Sequence, residues 1–243
     1  MKKLWSRVIK GGVGVAVLGG VGVAAYLQHP LFGELPSGER LARIERSSHY
    51  ADGSFHNQTD TPLLTTDQSQ VSIMLDNMRN NGTTRPPTPL PTTKTDLKAL
   101  DAREDVVVWL GHSSYYVQLG GQRLLIDPVF SVNASPVPGT NVAFDGTSLY
   151  AAADVPAIDL LVITHDHYDH LDYPSIQALQ RKVGKVMVPL GVGAHFERWG
   201  YDMQRVQEAD WYDSLALSPT LQLTATPARH FSGRTFTTNK SLW

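Results

Sequence analysis

Four side chains that commonly bind metal ions lie within six consecutive positions near the middle of the chain. They are His165, His167, Asp169 and His170. Neutral imidazole nitrogens and carboxylate oxygens suit borderline cations such as zinc. In an extended segment alternate residues face the same side, so His165, His167 and Asp169 would face one side. His170 would lie where the chain turns into a helix. A charged surface turn is the alternative, but the crowding of donors favours a metal site.

The residues on either side of this cluster predict how it is positioned. An apolar run from Ile158 to Thr164 reads as a buried strand that leads directly into the histidines. Asp172 and Pro174 are typical of a helix N-cap and a first helical turn. The cluster is therefore expected on a loop between a strand and a helix, at the end of a sheet, where functional sites are often built.

Composition limits the chemistry that this chain can perform. The 243 residues carry a formal net charge of −2 and contain no cysteine. The absence of cysteine excludes thiol catalysis and cysteine-type zinc sites, and it is compatible with either a reducing or an oxidising compartment. The near-neutral charge and the lack of a basic stripe with interleaved aromatic residues argue against nucleic acid as a partner.

The N-terminus has the pattern of a membrane-targeting segment. A basic stretch precedes an uncharged run from Gly11 to Leu27 that is rich in glycine, valine and alanine; the basic residues are Lys2, Lys3, Arg7 and Lys10. An uncleaved anchor fits best, a cleaved signal peptide is the second interpretation, and a buried glycine-rich helix is the third. Either of the first two places the protein at the inner membrane or in the periplasm of a bacterium-like cell.

We divide the chain into residues 1–27 (signal or anchor), 28–104 (lead segment and connector) and 105–243 (the domain that carries the metal cluster). Within the lead segment, Asp67 to Asn80 predicts an amphipathic helix. Its apolar residues have helical spacing and are expected to face the core, with lipid contact as the weaker alternative; they are Val71, Met74, Leu75 and Met78. Thr83 to Thr95 is rich in proline and threonine, which indicates an extended connector.

From Asp105 the pattern is typical of strands mixed with helices, which favours an α/β layered fold. Gly120-Gly121 is a strong hairpin signal between two of the strands. Residues 132–157 resemble a loop. The predicted strands are Val106–Leu110, Tyr115–Leu119, Arg123–Ile126, Lys185–Pro189 and Leu221–Ala225, and the predicted helices are Pro174–Arg181 and Gly193–Trp199.

The His-x-His-x-Asp-His motif at 165–170 resembles the signature of the metallo-β-lactamase superfamily. Three further blocks are similar to the branch that contains the N-acyl-phosphatidylethanolamine-hydrolysing phospholipase D and its bacterial relatives; they are Val108–Ser114, Leu124–Ser131 and Trp199–Tyr201. This resemblance implies an αββα sandwich that holds two zinc ions.

The resemblance also implies roles for single residues. His230 would complete the first metal site with His165 and His167, although a histidine in such a loop is by itself more often solvated. Asp169 and His170 would bind the second metal, and Asp169 is the expected catalytic residue.

Two other polar residues near the motif each fit two roles. Asp127 fits either a residue that orients a ligand histidine or a turn residue before Pro128. His112 fits either the lining of the site or a structural hydrogen bond. The remaining histidines lack metal-ligand spacing and are not assigned to the site; they are His29, His49, His56 and His195.

The sequence departs from the family pattern after His230. The superfamily expects a later aspartate that bridges both metals and a final histidine for the second metal, and neither follows His230 here. We therefore expect a sandwich that is incomplete at its C-terminus, as in a truncated product or fragment, with an incomplete second metal site and one sheet face uncovered.

These inferences lead to one functional hypothesis with two alternatives. The leading hypothesis is a membrane-tethered, zinc-dependent hydrolase in which metal-activated water attacks a phosphodiester, with N-acyl phospholipids as candidate substrates. The first alternative is a lactonase or other ester hydrolase, because the same metal pair serves several reactions on this fold. The second is a catalytically inactive remnant.

Overall fold

A six-stranded mixed sheet forms the centre of the protein in a computed structural model, which describes residues 20–62, 64–79 and 85–243. Its strands are β3 (Val106–Gly111), β4 (Ser114–Leu119), β5 (Gln122–Ile126), β6 (Ile158–Val162), β7 (Val183–Pro189) and β8 (Val206–Ala209). They lie side by side in this order, antiparallel from β3 to β5 and parallel from β5 to β8.

Two small antiparallel pairs and four helices complete the described structure. The pairs are β1 (Tyr50–Ala51) with β2 (Ser54–Phe55) and β9 (Ser214–Ser218) with β10 (Leu221–Thr224). The helices are α1 (Gly38–Ile44), α2 (Gln70–Arg79), α3 (Tyr173–Leu179) and α4 (Gly193–Arg198), with 3-10 turns at Pro30–Phe32 and Met203–Arg205.

Alternating residues of the central strands supply two separate cores. Leu125, Leu161 and Val186 face one side, where they pack with side chains of α3 and α4. Leu124 and Leu160 face the other side, where the β9–β10 hairpin packs against them. Period-two alternation of this kind is what buries both faces of a sheet between layers.

The lead segment packs against the end of the described chain. Ile44 and Phe55 are fully buried in a third cluster with Trp211, Leu242 and Trp243. This cluster brings residues about 190 positions apart in the sequence (55 and 243) into one core. The indole of Trp243 also donates to the Ala228 carbonyl at 2.9 Å, which helps to fix the loop that carries His230.

Several local predictions are confirmed. The Gly120-Gly121 turn joins β4 and β5, and both glycines have positive φ (56° and 75°), as a two-residue hairpin requires. Asp172 caps α3, with its side chain accepting a hydrogen bond from the amide of Ser175. Strands β1, β2, β8 and β9, which are two to five residues long, were not predicted from the sequence.

The prediction that the amphipathic helix faces the core is wrong. Helix α2 forms close to its predicted position, but Val71, Met74 and Met78 are 60–67% exposed and Leu75 is 43% exposed. None of these residues belongs to the three hydrophobic clusters of the described chain. Helical spacing identifies an apolar stripe but not the surface that covers it, so the lipid-contacting alternative stays a prediction.

Part of the central sheet is also exposed, where β3 and β4 lie beyond the β9–β10 hairpin on the face that carries Leu124 and Leu160. Val107 is 67% exposed, and Trp109, Tyr115 and Leu119 are 38–42% exposed. These side chains share one face, because Val107 pairs with Val117 and Trp109 pairs with Tyr115 in register.

The predicted anchor falls mainly outside the described residues, which begin at residue 20. Among the residues that the structure does describe, no helix has the length and apolar character that crossing a bilayer requires. Residues 85–95 of the predicted connector contain neither helix nor strand, and residues 83–84 lie outside the described part.

Candidate metal centre

The sheet topology brings the predicted site residues to one edge. Strands β5 and β6 are adjacent and parallel, so Asp127 and the loop that begins at His165 leave the sheet at neighbouring carboxyl ends. Strand β3 is antiparallel to β4, and β4 is antiparallel to β5; His112, at the end of β3, therefore reaches the same edge.

Three histidines converge to form a first donor cluster. The Nε2 atom of His165 lies 3.0 Å from Nδ1 of His167 and 3.0 Å from Nε2 of His230, and the last two nitrogens are 3.2 Å apart. Three nitrogens that bind one tetrahedral zinc ion at about 2.0 Å are about 3.3 Å from one another. The donor type and spacing therefore fit a zinc ion.

A second donor cluster adjoins the first. His112, Asp169 and His170 each offer a ligand atom, and these atoms all lie within 4.8 Å of one another. Nε2 of His112 is 2.9 Å from Oδ2 of Asp169. The ring of His170 lies only 4.0 Å, centre to centre, from the ring of His165, so the two clusters form a continuous site.

The electrostatic surroundings keep the first cluster in the form that binds metals. Burial, followed by the neighbouring histidines, lowers the pKa of His165 from 6.5 to about 3. Burial is also the main cause that lowers the pKa of His167 and of His230. Imidazoles with lowered pKa are neutral at pH 7 and present a free lone pair to a cation.

Asp169 is held in its charged form. Burial opposes its ionisation, but the nearby His170 and His112 outweigh burial and lower its pKa below the ordinary 3.8. At neutral pH the site therefore presents an anionic oxygen among imidazole nitrogens, a donor set that suits zinc and related divalent ions.

Asp127 connects the second cluster to the sheet. Its Oδ1 accepts a hydrogen bond from the Thr164 amide at 2.7 Å, and its Oδ2 accepts one from the Thr164 hydroxyl at 2.6 Å. The same Oδ2 lies 2.8 Å from Nδ1 of His170. A carboxylate that contacts a candidate ligand imidazole in this way can fix the orientation of the ring, which is the first of the two roles considered for Asp127.

Two residues at this edge adopt backbone conformations that are uncommon without glycine. His112 has φ 44° and Asp127 has φ 43°, both in the left-handed region. The hydroxyl of Ser114 donates to the Asp127 carbonyl at 2.7 Å, and the indole of Trp109 donates to the His112 carbonyl at 2.7 Å. Such conformations are often found at functional sites, where the surrounding structure maintains them.

The loop that carries His230 is held by residues that the sequence analysis missed. Asn57 binds the His230 backbone twice: its amide nitrogen donates to the carbonyl at 2.9 Å, and its amide oxygen accepts from the amide at 3.1 Å. Asp166 and Arg234 join the same loop to the metal loop. Only the position of Asp166, between two candidate ligand histidines, could have drawn attention to it.

The four histidines that were not assigned to the site stay outside both clusters. His195 is nevertheless buried, and its Nδ1 accepts a hydrogen bond from the Glu34 amide at 2.9 Å. Its role in the described structure is thus an internal hydrogen bond rather than solvation.

Comparison with known proteins adds family context to this geometry. Residues 122–243 match the family model described as "Beta-lactamase superfamily domain". An uncharacterized protein of Mycobacterium tuberculosis is 36% identical over 203 residues, which cover 82% of this chain and 54% of the relative. The mitochondrial N-acyl-phosphatidylethanolamine-hydrolyzing phospholipase D of Saccharomyces cerevisiae is 34% identical over 145 residues, 56% of this chain and 29% of that protein.

Among solved structures, CmlA, a diiron beta-hydroxylase from Streptomyces venezuelae, aligns with a TM-score of 0.39 at 30% identity, covering 51% of this chain and 24% of that one. The chain spans about half the length of its mycobacterial relatives and less of the others.

Proposed function

Since the chain belongs to the metallo-β-lactamase superfamily, we propose that it acts as a zinc-dependent hydrolase of phosphodiester bonds. The observation that carries this proposal is the pair of adjoining donor clusters at one sheet edge. Bound zinc would lower the pKa of a coordinated water towards neutrality and would polarise a phosphoryl oxygen.

Each of the two clusters would hold one metal ion. His165, His167 and His230 would hold one ion through neutral nitrogens. His170 and Asp169 would hold the second, with His112 at 2.9 Å keeping the Asp169 carboxylate in place. The ionised Asp169 would also accept a proton from the attacking water.

A cavity beside the second cluster supports a substrate with an apolar group. It has a volume of about 460 Å³ and is bordered by His112 and Asp169. Its other lining residues are mainly apolar, and they include Trp109, Val132, Val142, Ala143 and Phe144. A pocket of this kind binds an acyl or aromatic group while the polar end of the ligand meets the charged residues, which agrees with an N-acyl phospholipid.

Hydrolysis assays on the zinc-loaded chain test the proposal. The substrates are bis(4-nitrophenyl) phosphate, a lactone and vesicles that contain an N-acylated phospholipid. We expect turnover of the phosphodiesters, its loss in His165→Ala, and unchanged turnover in His56→Ala, since His56 is an exposed histidine outside both clusters.

The other outcomes decide between the alternatives. Turnover of the lactone alone would replace the phosphodiesterase assignment with an ester hydrolase. Tight zinc binding without any turnover would favour the inactive remnant. A Val142→Asp variant places a charge in the apolar lining, so it should impair hydrolysis of the acylated substrate far more than hydrolysis of the small phosphodiester.

A further inference from the structure

Asp166 lies between two histidines of the first cluster. Its side chain has His195 as a neighbour, with Nε2 of His195 3.5 Å from Oδ2, and its shorter contacts are on the opposite loop. The carboxylate is buried, at 4% exposure. Its Oδ1 accepts a hydrogen bond from the Gly233 amide at 2.7 Å, and its Oδ2 accepts one from the Ser241 hydroxyl at 2.8 Å. Both donors belong to residues 228–243, the segment that carries His230.

Arg234 makes the complementary connection from that segment back to the metal loop. Its guanidinium is buried and donates from one nitrogen to the carbonyl of Asp166 at 2.8 Å and to the carbonyl of Leu171 at 2.7 Å. The same group lies 4.1 Å from the ring centre of Tyr168. The two carbonyls bracket the loop that contains His167, Asp169 and His170.

We propose that Asp166 and Arg234 form a reciprocal clamp that positions His230 against His165 and His167, and thereby sets the metal affinity of the first cluster. The clamp rests on the metal site proposed above. Asp166 and Arg234 are positioning residues, because their charged groups contact the two loops and not the three converging nitrogens.

The physical reason is that the ligands come from segments more than 60 positions apart in the sequence (167 and 230). Three neutral imidazoles that all turn a nitrogen lone pair to one point repel one another in the absence of a cation. Buried, charge-assisted hydrogen bonds are among the strong polar contacts that can hold such loops in register. A cation then meets ligands that are already in position, and less of the binding free energy is lost in ordering the loops.

Zinc titration of the full chain in competition with a chelator tests the clamp. We expect Asp166→Ala to raise the zinc Kd by about 10- to 100-fold, as the loss of residues that orient metal ligands typically does. Asp166→Asn should recover part of this loss, since its amide oxygen can still accept from Gly233.

Cobalt(II) titration supplies a second readout, because the visible spectrum of bound cobalt depends on the number and geometry of its ligands. We expect the Asp166→Ala spectrum to resemble that of His230→Ala, with one ligand displaced. A general loss of stability would not produce that resemblance.

Glu208 provides the matched control. It is another largely buried carboxylate, and it accepts hydrogen bonds from the amides of Gly191 at 2.8 Å and Gly193 at 3.1 Å. It belongs to neither donor cluster. Glu208→Ala should lower the free energy of unfolding while the zinc Kd and the cobalt spectrum stay unchanged.

The outcomes distinguish a failure of the proposed clamp from a failure of the proposed metal site. An Asp166→Ala protein with the parental zinc Kd and cobalt spectrum would overturn the clamp. If His230→Ala also binds zinc like the parent, the metal site itself is refuted. Should Asp166→Ala not fold, Ser241→Ala and Asp166→Asn carry the test: a raised Kd in both supports the clamp, and parental behaviour in both overturns it.

Discussion

Asp127 offers the sharpest test of how the sheet edge supports the second cluster. The change is Asp127→Asn, which keeps the size of the side chain. The asparagine oxygen can still accept from the Thr164 amide, as Oδ1 does at 2.7 Å. The new NH2 group only donates, so it cannot accept from the Thr164 hydroxyl or from an N–H of His170, which lie 2.6 and 2.8 Å from Oδ2.

The expected loss follows from these two contacts. A hydrogen bond to a charged group contributes about 1.5–3 kcal/mol, so losing two of them should lower the free energy of unfolding by about 3–6 kcal/mol. Asp127 is only 2% exposed, so water cannot replace the lost partners. Because His170 also loses the group that orients its ring, we expect the second metal to bind about 10- to 100-fold more weakly.

Urea unfolding of the metal-free chain measures the first effect, and zinc titration measures the second. Asp159→Asn is the control: this exposed carboxylate on β6 accepts from the Arg123 amide at 2.8 Å, and asparagine can accept the same bond. The control should stay within about 0.5 kcal/mol of the parent. If Asp127→Asn behaves like Asp159→Asn in both measurements, the supporting role of Asp127 is wrong.

Three further outcomes are expected. Unfolded histidine is protonated below about pH 6.5, whereas His165 stays neutral in the folded chain down to a pKa of about 3. As the pH falls between these two values, the metal-free chain should therefore lose up to about 1.4 kcal/mol of stability per pH unit. His165→Ala should flatten that slope in urea unfolding at several pH values. Asn57→Ala removes both hydrogen bonds to the His230 backbone, and zinc titration should show about 10-fold weaker binding. Both Gly146 (φ +90°) and Gly139 (φ +79°) have positive φ, but a Cβ at Gly146 would lie 2.3 Å from the Leu90 carbonyl oxygen, whereas a Cβ at Gly139 meets no atom within 4 Å. Thermal unfolding should therefore show that Gly146→Ala loses at least about 1 kcal/mol more stability than Gly139→Ala.

Features encoded by neighbouring residues were predictable from the sequence. Gly120-Gly121 predicts the hairpin because glycine accepts the positive φ values of the turn. Asp172 predicts the start of α3 because its carboxylate can reach the amide three residues later. The motif from His165 to His170 predicts a donor cluster because its ligand residues are crowded on one short loop.

The partners of these residues depended on the tertiary structure. His112, left open by the sequence, joins Asp169 because β3, β4 and β5 bring their ends to one edge. The contacts of Asp166 and Arg234 carried no signal in the sequence, since each residue contacts residues more than 60 positions away. For helix α2 the sequence predicted the apolar stripe correctly, but the prediction that the core covers this stripe was wrong.

The sequence by itself determined the donor types, their local order and the secondary structure that presents them, because these depend on bonds and contacts over a few residues. Only the folded chain decided which donors meet, how His230 is held and which apolar surfaces are covered. Those outcomes depend on the packing of segments about 200 positions apart (44 and 243), and local periodicity carries no information about such distant partners.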